Sequence, residues 1–258
     1  MGNPAAERRL VRYLIVSDIH SNLEAFTQCL EVARGLYQEM VCLGDLVGYG
    51  PDPNAVVEAV RERASVTIRG NHDKACCGIS AAEDFNPLAR FATLWTREQL
   101  TAQNLASLRN LPAGPVRLDG FEFVHGSPQD EDEYLVDAQQ VALALEESAQ
   151  PVAFFGHTHL QGGFVLTNTG RLQTIQCSAE SDGCTATLDL ENGARYLINP
   201  GSVGQPRDRD WRAAFAILDS DKHQVDFHRT PYDLATTQDK MRKAGLPEPL
   251  IARLEFGR

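Results

Sequence analysis

The stretch Tyr13-Leu14-Ile15-Val16-Ser17-Asp18-Ile19-His20 is an apolar run that ends in an acid and an imidazole two residues apart. An unbroken apolar run of this kind suits a strand covered on both faces, as in a parallel sheet flanked by helices. Tyr13–Ser17 is therefore the first expected strand. Leu23–Arg34 behind it has helical apolar spacing, with Ser21 and Glu24 placed as a capping box. Met40–Leu43, Val66–Arg69 and Val152–Phe155 repeat the buried-strand pattern, and Asn54–Arg63 reads as a helix opened by Asp52 and Pro53. Strand, helix, strand, helix is the opening of a doubly wound α/β arrangement.

Working outward, Asn86 and Pro87 start a helix toward Leu100, and further helices are expected over about Thr101–Arg109 and Ala138–Glu147. From Gly163 the pattern changes. Phe164–Thr167, Leu172–Gln176, Thr185–Leu190, Tyr196–Ile198, Ala213–Leu218 and Gln224–Arg229 are short alternating runs between turn residues, which predicts a more antiparallel second sheet. Leu234–Lys243 and Pro247–Leu254 close the chain as helices. No repeat, low-complexity tract or Pro/Gly/Ser-rich linker divides it, so residues 1–258 read as one domain. Within it, residues 1–12 form a flexible lead, 13–160 a motif-bearing half, and 161–258 a second sheet with C-terminal helices.

The 258 residues, 43% hydrophobic and 23% charged, are enough to bury a substantial core. A formal charge of −11 disfavours a nucleic-acid polymer as partner, because an acidic surface repels the phosphate backbone. No apolar run has signal-peptide or membrane-spanning length, and a cytoplasmic protein is expected. The six cysteines form no CxxC pair and several fall in core-like segments, so they are expected to be reduced and structural.

Polar clusters follow the apolar runs: Asp18-Ile19-His20, Gly44-Asp45, Gly70-Asn71-His72-Asp73, His125-Gly126 and Gly156-His157-Thr158-His159. At the C-terminal edge of an open α/β sheet, side chains from several strands converge on one ligand. Alternate residues leaving a strand, as in Asp18/His20 and His157/His159, point to the same side. Imidazole, carboxylate and amide oxygen without thiolate is a donor set for Mn, Fe, Zn or Co rather than for a structural zinc knot. Each cluster alone has an ordinary reading as a turn or cap. Together, in this order, they read as one metal site.

Asp-x-His, Gly-Asp, Gly-Asn-His-Asp, a later His and Gly-His-x-His resemble the motifs of the calcineurin-like metallophosphoesterase superfamily. The segments Asp18-Ile19-His20-Ser21-Asn22, Gly48-Tyr49-Gly50-Pro51-Asp52-Pro53-Asn54 and Asn199-Pro200-Gly201-Ser202-Val203-Gly204 resemble its small bacterial and archaeal phosphodiesterase branch. The resemblance implies an α/β (α+β sandwich) fold of two packed mixed β-sheets flanked by helices. It implies two divalent metal ions, with manganese favoured and Fe, Zn, Ni or Co as alternatives. Asp18, His20 and His159 would hold the first ion, Asn71, His125 and His157 the second, and Asp45 both. His72 would be the catalytic acid. The implied activity is a phosphodiesterase acting on a small or nucleotide-like phosphoester through a metal-bridging hydroxide, the ions making a cationic focus in an acidic protein.

The chain departs from the protein-phosphatase branch in having Gly48-Tyr49-Gly50 where those enzymes carry an Asp-Arg-Gly, which removes a phosphate-gripping arginine. Arg207 or Arg69 would have to replace it, and Asn199 and Gly201 are further candidates for substrate contact. The acidic segment Gln129–Tyr134 reads as a solvated loop or a cap on the cleft, and His223 and His228 as non-catalytic. A phosphomonoesterase or protein phosphatase is the alternative reading, and a metal-binding interaction scaffold the second.

Overall fold

The computed structural model describes residues 10–83, 85–177 and 182–258. All but the last few residues of the expected flexible lead lie outside these. The chain runs β1 (Arg12–Val16), α1 (Leu23–Val32), β2 (Glu39–Cys42), α2 (Pro53–Arg63), β3 (Val66–Thr67), α3 (Asn71–Cys77), α4 (Pro87–Gln99) and α5 (Ala102–Arg109). It continues through β4 (Val116–Leu118), β5 (Phe121–Phe123), α6 (Ala138–Glu147), β6 (Val152–Phe154), β7 (Gly162–Leu166) and β8 (Leu172–Ile175). It ends with β9 (Gly183–Asp189), β10 (Arg195–Asn199), β11 (Ala213–Asp219), β12 (Gln224–Thr230), α7 (Leu234–Lys243) and α8 (Glu248–Glu255).

The strands make two mixed sheets, ordered β3-β2-β1-β11-β12-β9 and β4-β5-β6-β10-β7-β8. Strand alternation explains how they stack. Tyr13 and Ile15 of β1 point into one apolar cluster with Phe121, Phe123, Phe154, Tyr196 and Ile198 of the other sheet. Leu14 and Val16 point the opposite way, against Phe26 and Cys29 of α1 and Val56 and Val60 of α2. The second sheet is likewise covered outside, where Ala153 and Leu197 meet Val141, Ala144 and Leu145 of α6. The fold is thus α/β: two mixed sheets face to face with helices outside. The apolar run in β1 is continuous because both of its faces are covered.

Several expectations need correction. β1, β2 and β3 are parallel neighbours as expected, but β6 belongs to the other sheet, parallel to β5 and β10. The later strands do not build a sheet of their own. β9, β11 and β12 complete the first sheet, and β7, β8 and β10 complete the second. A strand's period of two is the same whichever sheet it joins, so local pattern cannot choose its partner. Two cap assignments also change. The α1 cap is Asn22, whose side chain accepts from Ala25 N, not Ser21. Asp52 precedes Pro53 as expected, but its carboxylate bonds Lys240 Nζ at 2.9 Å instead of capping α2.

Phe154 lies between Phe121 and Phe123, with ring centres 6.4 and 5.7 Å away, at the middle of the intersheet core. Phe154→Ala is expected to cost about 3–5 kcal/mol. A urea titration monitored by circular dichroism measures this; a loss below about 1 kcal/mol would mean that the intersheet layer collapses into the space left behind.

Candidate metal centre

Asp18 and His20 leave the end of β1, Asp45 follows β2, and Asn71 opens α3 after β3. His125 follows β5, and His157 and His159 follow β6. All are therefore delivered by ends of parallel strands, from both sheets, to one edge of the sandwich. Their loops are bonded to one another: Asp18 N donates to Gly44 O, His20 N to Asp45 O and Gly204 N to Asp18 O, each at 3.0 Å. Two glycines make the close approaches. A Cβ on Gly204 would lie 1.8 Å from Ile19 O, and one on Gly70 would lie 2.1 Å from Asp45 Oδ1.

The side chains converge only because the backbone turns left-handed under them. Asp18, His20, Asp45, His157 and His159 have φ of 53°, 49°, 52°, 64° and 61°. Such a conformation costs a non-glycine residue roughly 1–2 kcal/mol, and the interloop bonds hold it in place. Strain concentrated at side chains that meet in one place is a mark of a functional site.

Two buried groups result, Asp18/His20/Asp45/His159 and Asp45/His125/His157, each with its donor atoms within 4.8 Å of one another. Asp45 belongs to both, and its Oδ2 lies 3.6 Å from His20 Nε2 and 3.6 Å from His125 Nε2. Carbonyl oxygens fix the ring tautomers. His20, His125 and His159 donate Nδ1–H to the carbonyls of Val47, Leu43 and Gln205, at 3.0, 2.8 and 2.5 Å. His20 and His159 are left with an unprotonated Nε2, whereas His125 keeps a second proton on Nε2 beside the Asp45 carboxylate. His157 is reversed: Nε2–H donates to Asp132 O at 3.1 Å, which leaves Nδ1.

This arrangement fits metal ions on its own evidence. His20 Nε2 and His159 Nε2 stand 3.1 Å apart, lone pair facing lone pair, a repulsion that a shared cation removes. Asn71 Oδ1 is buried with no hydrogen-bond partner, a condition that costs about 1–3 kcal/mol for a neutral polar group left unsatisfied.

The centre is electrostatically unbalanced without cations. Burial pushes Asp18 up to about 7. Burial lowers His20 and His159 well below the usual imidazole range, His72 to about 4 and His157 to about 3. Burial also works against the charge on His125, but the Asp45 carboxylate outweighs it and raises His125 to about 9. Asp45 stays ionised, well below the usual carboxylate value: its burial is overcome chiefly by His125.

The remaining candidates separate clearly. His72 N donates to Asp45 Oδ1 at 2.9 Å, while its Nδ1 is buried and unpartnered. Asn199 donates to Gly156 O and Thr158 Oγ1 and accepts from Gly201 N, so both residues use these groups within the loops. Arg207 N donates to His159 O at 3.2 Å, and the Arg207 charge acts on Asp18, His20 and His159. Arg69 is turned away: its Nε and Nη2 each bond Glu131 at 2.9 Å. The acidic segment is correspondingly not a free loop. Lys74 Nζ joins Glu131 at 3.0 Å and Asp132 at 2.5 Å, which anchors the backbone that carries Asp132 O to His157. His228 is stacked on Phe215, 4.8 Å between ring centres, and His223 sits in the turn before β12; neither belongs to the two groups.

Beside His72 and His157 opens a cleft of about 380 Å³ walled by Tyr49, Phe85 and Tyr134. The Tyr134 ring lies on His157 at 3.7 Å between centres, and Phe85 lies 4.6 Å from His72. Lys74, Phe85 and Tyr134 carry no signal in the sequence beyond ordinary polar or core residues.

The whole centre falls within a match to the model of the calcineurin-like phosphoesterase superfamily domain, which spans residues 11–223. The chain belongs to this superfamily. It is 42% identical to a metallophosphoesterase of known crystal structure from Sphaerobacter thermophilus, with 97% of this chain and 100% of that one covered and a TM-score of 0.82. An uncharacterized protein of Methanocaldococcus jannaschii is 34% identical over 251 residues, 95% of this chain and 97% of its own. The fold is shared at 21% identity with a hypothetical protein of Pyrococcus horikoshii, TM-score 0.76, over 96% of this chain and 98% of that one. Membership makes this metallophosphoesterase a phosphoester hydrolase, and the buried His/Asp groups are its candidate dinuclear divalent metal site. Among the described residues no helix is long and apolar enough to cross a membrane.

A metal ion binding here must displace the protons that Asp18 holds up to about 7 and His125 up to about 9. Ligand deprotonation makes metal affinity rise with pH, so affinity is expected to climb through this window and to fall as pH drops below it. Titration calorimetry at pH 7 in buffers of different ionisation enthalpy should record net proton release on manganese loading; loading without release would contradict the protonation states described.

Proposed function

We propose that this metallophosphoesterase is a phosphodiesterase acting on a small or nucleotide-like substrate, with manganese as the favoured metal. The observation that carries the reading is the sharing of Asp45 between two nearly complete ligand groups beside an aromatic-walled cleft. Asp18, His20 and His159 would hold one ion, Asn71, His125 and His157 the other, and Asp45 both. When bound, such a pair supplies a water acidified toward neutral pH and a clamp on the phosphoryl oxygens.

The chain's own residues do the rest. His72 is pulled to about 4 by burial, so at neutral pH its imidazole is uncharged and offers an N–H to the leaving oxygen. It becomes a true acid only where a bound phosphate's negative charge restores its basicity. Tyr49, Phe85 and Tyr134 offer flat apolar walls to an organic substituent and exclude water around it. A diester, singly charged and carrying two such substituents, fits these walls better than a dianionic monoester. The cysteines are all unpaired, four of them buried, which supports a reducing compartment such as the cytoplasm.

Metal-stripped protein re-supplied with manganese is expected to hydrolyse bis(4-nitrophenyl) phosphate, and Asp45→Asn to lose both ions and turnover. Metal binding without turnover of diesters or monoesters would favour a scaffold, and a faster rate on the 4-nitrophenyl monoester would favour a monoesterase. His72→Ala should keep two ions per chain by elemental analysis while kcat falls by about 10²–10⁴. Metal loss equal to that of Asp45→Asn would show that His72 acts on the ligands instead.

A further inference from the structure

The C-terminal helix brings a cation to the centre that the roles above do not use. Arg253 of α8 places its Cζ 4.6 Å from the centre of the Tyr49 ring. That ring is in turn 4.5 Å from His72 and 4.8 Å from His20. Arg253 Nε and Nη2 are buried and have no hydrogen-bond partner. The contrast with other arginines is sharp: Arg69, Arg212 and Arg229 are paired with Glu131, Asp210 and Asp208. Among the described residues neither Arg253 nor Arg207 has a carboxylate partner.

The backbone joins the two segments that carry these arginines. Arg209 N donates to Gly257 O at 2.9 Å, which ties the end of α8 to the loop carrying Arg207. Gly257 adopts φ 58°, and a Cβ there would lie 2.6 Å from Asp210 N, so the contact requires glycine. Burial lowers Arg253, and the Arg207 charge pushes it in the same direction. A largely buried guanidinium that bonds Tyr49 but leaves Nε and Nη2 unpartnered, close enough to a second cation to feel its charge, is unfavourable unless an anion completes it. Guanidinium N–H groups match phosphate oxygens in pairs. Arg207 acts on Asp18, His20 and His159, donates from Nη2 to Gln205 Oε1 at 3.1 Å and bonds Tyr134, while Arg253 lies on Tyr49, so both cations adjoin the walls of the aromatic cleft.

We propose that Arg253 and Arg207 form an anion subsite behind Tyr49, at the margin of the aromatic cleft, which selects phosphoesters bearing a second phosphate-type group on one substituent. Arg253 is a specificity determinant in this arrangement, and Tyr49 its platform. The proposal deepens the phosphodiesterase reading and rests on it for the kinetic test, but its binding test is independent of turnover.

The kinetic test compares methyl 4-nitrophenyl phosphate with 2-phosphonoethyl 4-nitrophenyl phosphate on manganese-loaded protein. The wild-type kcat/KM is expected to favour the phosphonoethyl ester at least tenfold, and Arg253→Met to bring that ratio close to one. The binding test titrates inorganic phosphate into metal-stripped protein by calorimetry. Arg253→Met should weaken binding at least fivefold, with Arg253→Lys between it and the wild type. A wild-type ratio near one, a preference that survives in Arg253→Met, or phosphate binding equal in the wild type and Arg253→Met would each overturn the subsite. Absence of turnover on both esters together with Arg253-dependent phosphate binding would sink the phosphodiesterase reading and leave the subsite standing.

Discussion

The main-chain bonding of Asp18 is the constraint on which the rest of the centre depends. Its N–H is held by Gly44 O, its carbonyl accepts from Gly204 N and Ser202 Oγ, and its carboxylate accepts from His157 N at 3.2 Å. One residue thus fixes four loops from two sheets. Because proteins pack at crystal-like density, groups held this way cannot relax individually. The left-handed conformations of the neighbouring candidate ligands persist because the loops have no independent freedom, and two glycines are required where main chains pass closest.

The same interlock sets the electrostatics. Carbonyls of Leu43, Val47 and Gln205 come from the loops that position the ligands, so fold and tautomer are decided together. His157 differs because its partner carbonyl, Asp132 O, belongs to the acidic segment, itself moored by Arg69 and Lys74. An acidic chain therefore assigns two of its cations to hold its own acidic loop. Among the described residues, Arg207 and Arg253 stay without carboxylate partners beside the centre.

The order of elements and the residues gathered at the candidate centre were legible in the sequence, for a physical reason. Buried strands leave continuous apolar runs, and ligand chemistry admits few residue types, so Asp18, His20, Asp45, Asn71, His125, His157 and His159 stand out against them. Sheet membership was not legible. Val152–Phe154 has the same pattern as β1 yet lies in the other sheet, because pairing is decided by what packs above and below. The hairpin of β4 and β5 and the short α3 were also hidden, the strands being three residues each and α3 opening on the ligand motif itself. Arg253 was invisible for the opposite reason: one arginine on an amphipathic terminal helix is ordinary until Tyr49 is seen beneath it.

The pairing of β1 with β11 has a consequence for how the molecule comes into being. β1 is flanked by β2, which follows it closely, and by β11, some two hundred residues later in the chain. Long-range antiparallel pairing is slow, because loop closure must be met before the contact repays it. During synthesis the edge of β1 stays open until Ala213–Asp219 has emerged, although its apolar faces are complete from the start. The nascent chain thus carries an exposed apolar strand edge for most of its elongation, a hazard of self-association that ends only when the C-terminal strands arrive.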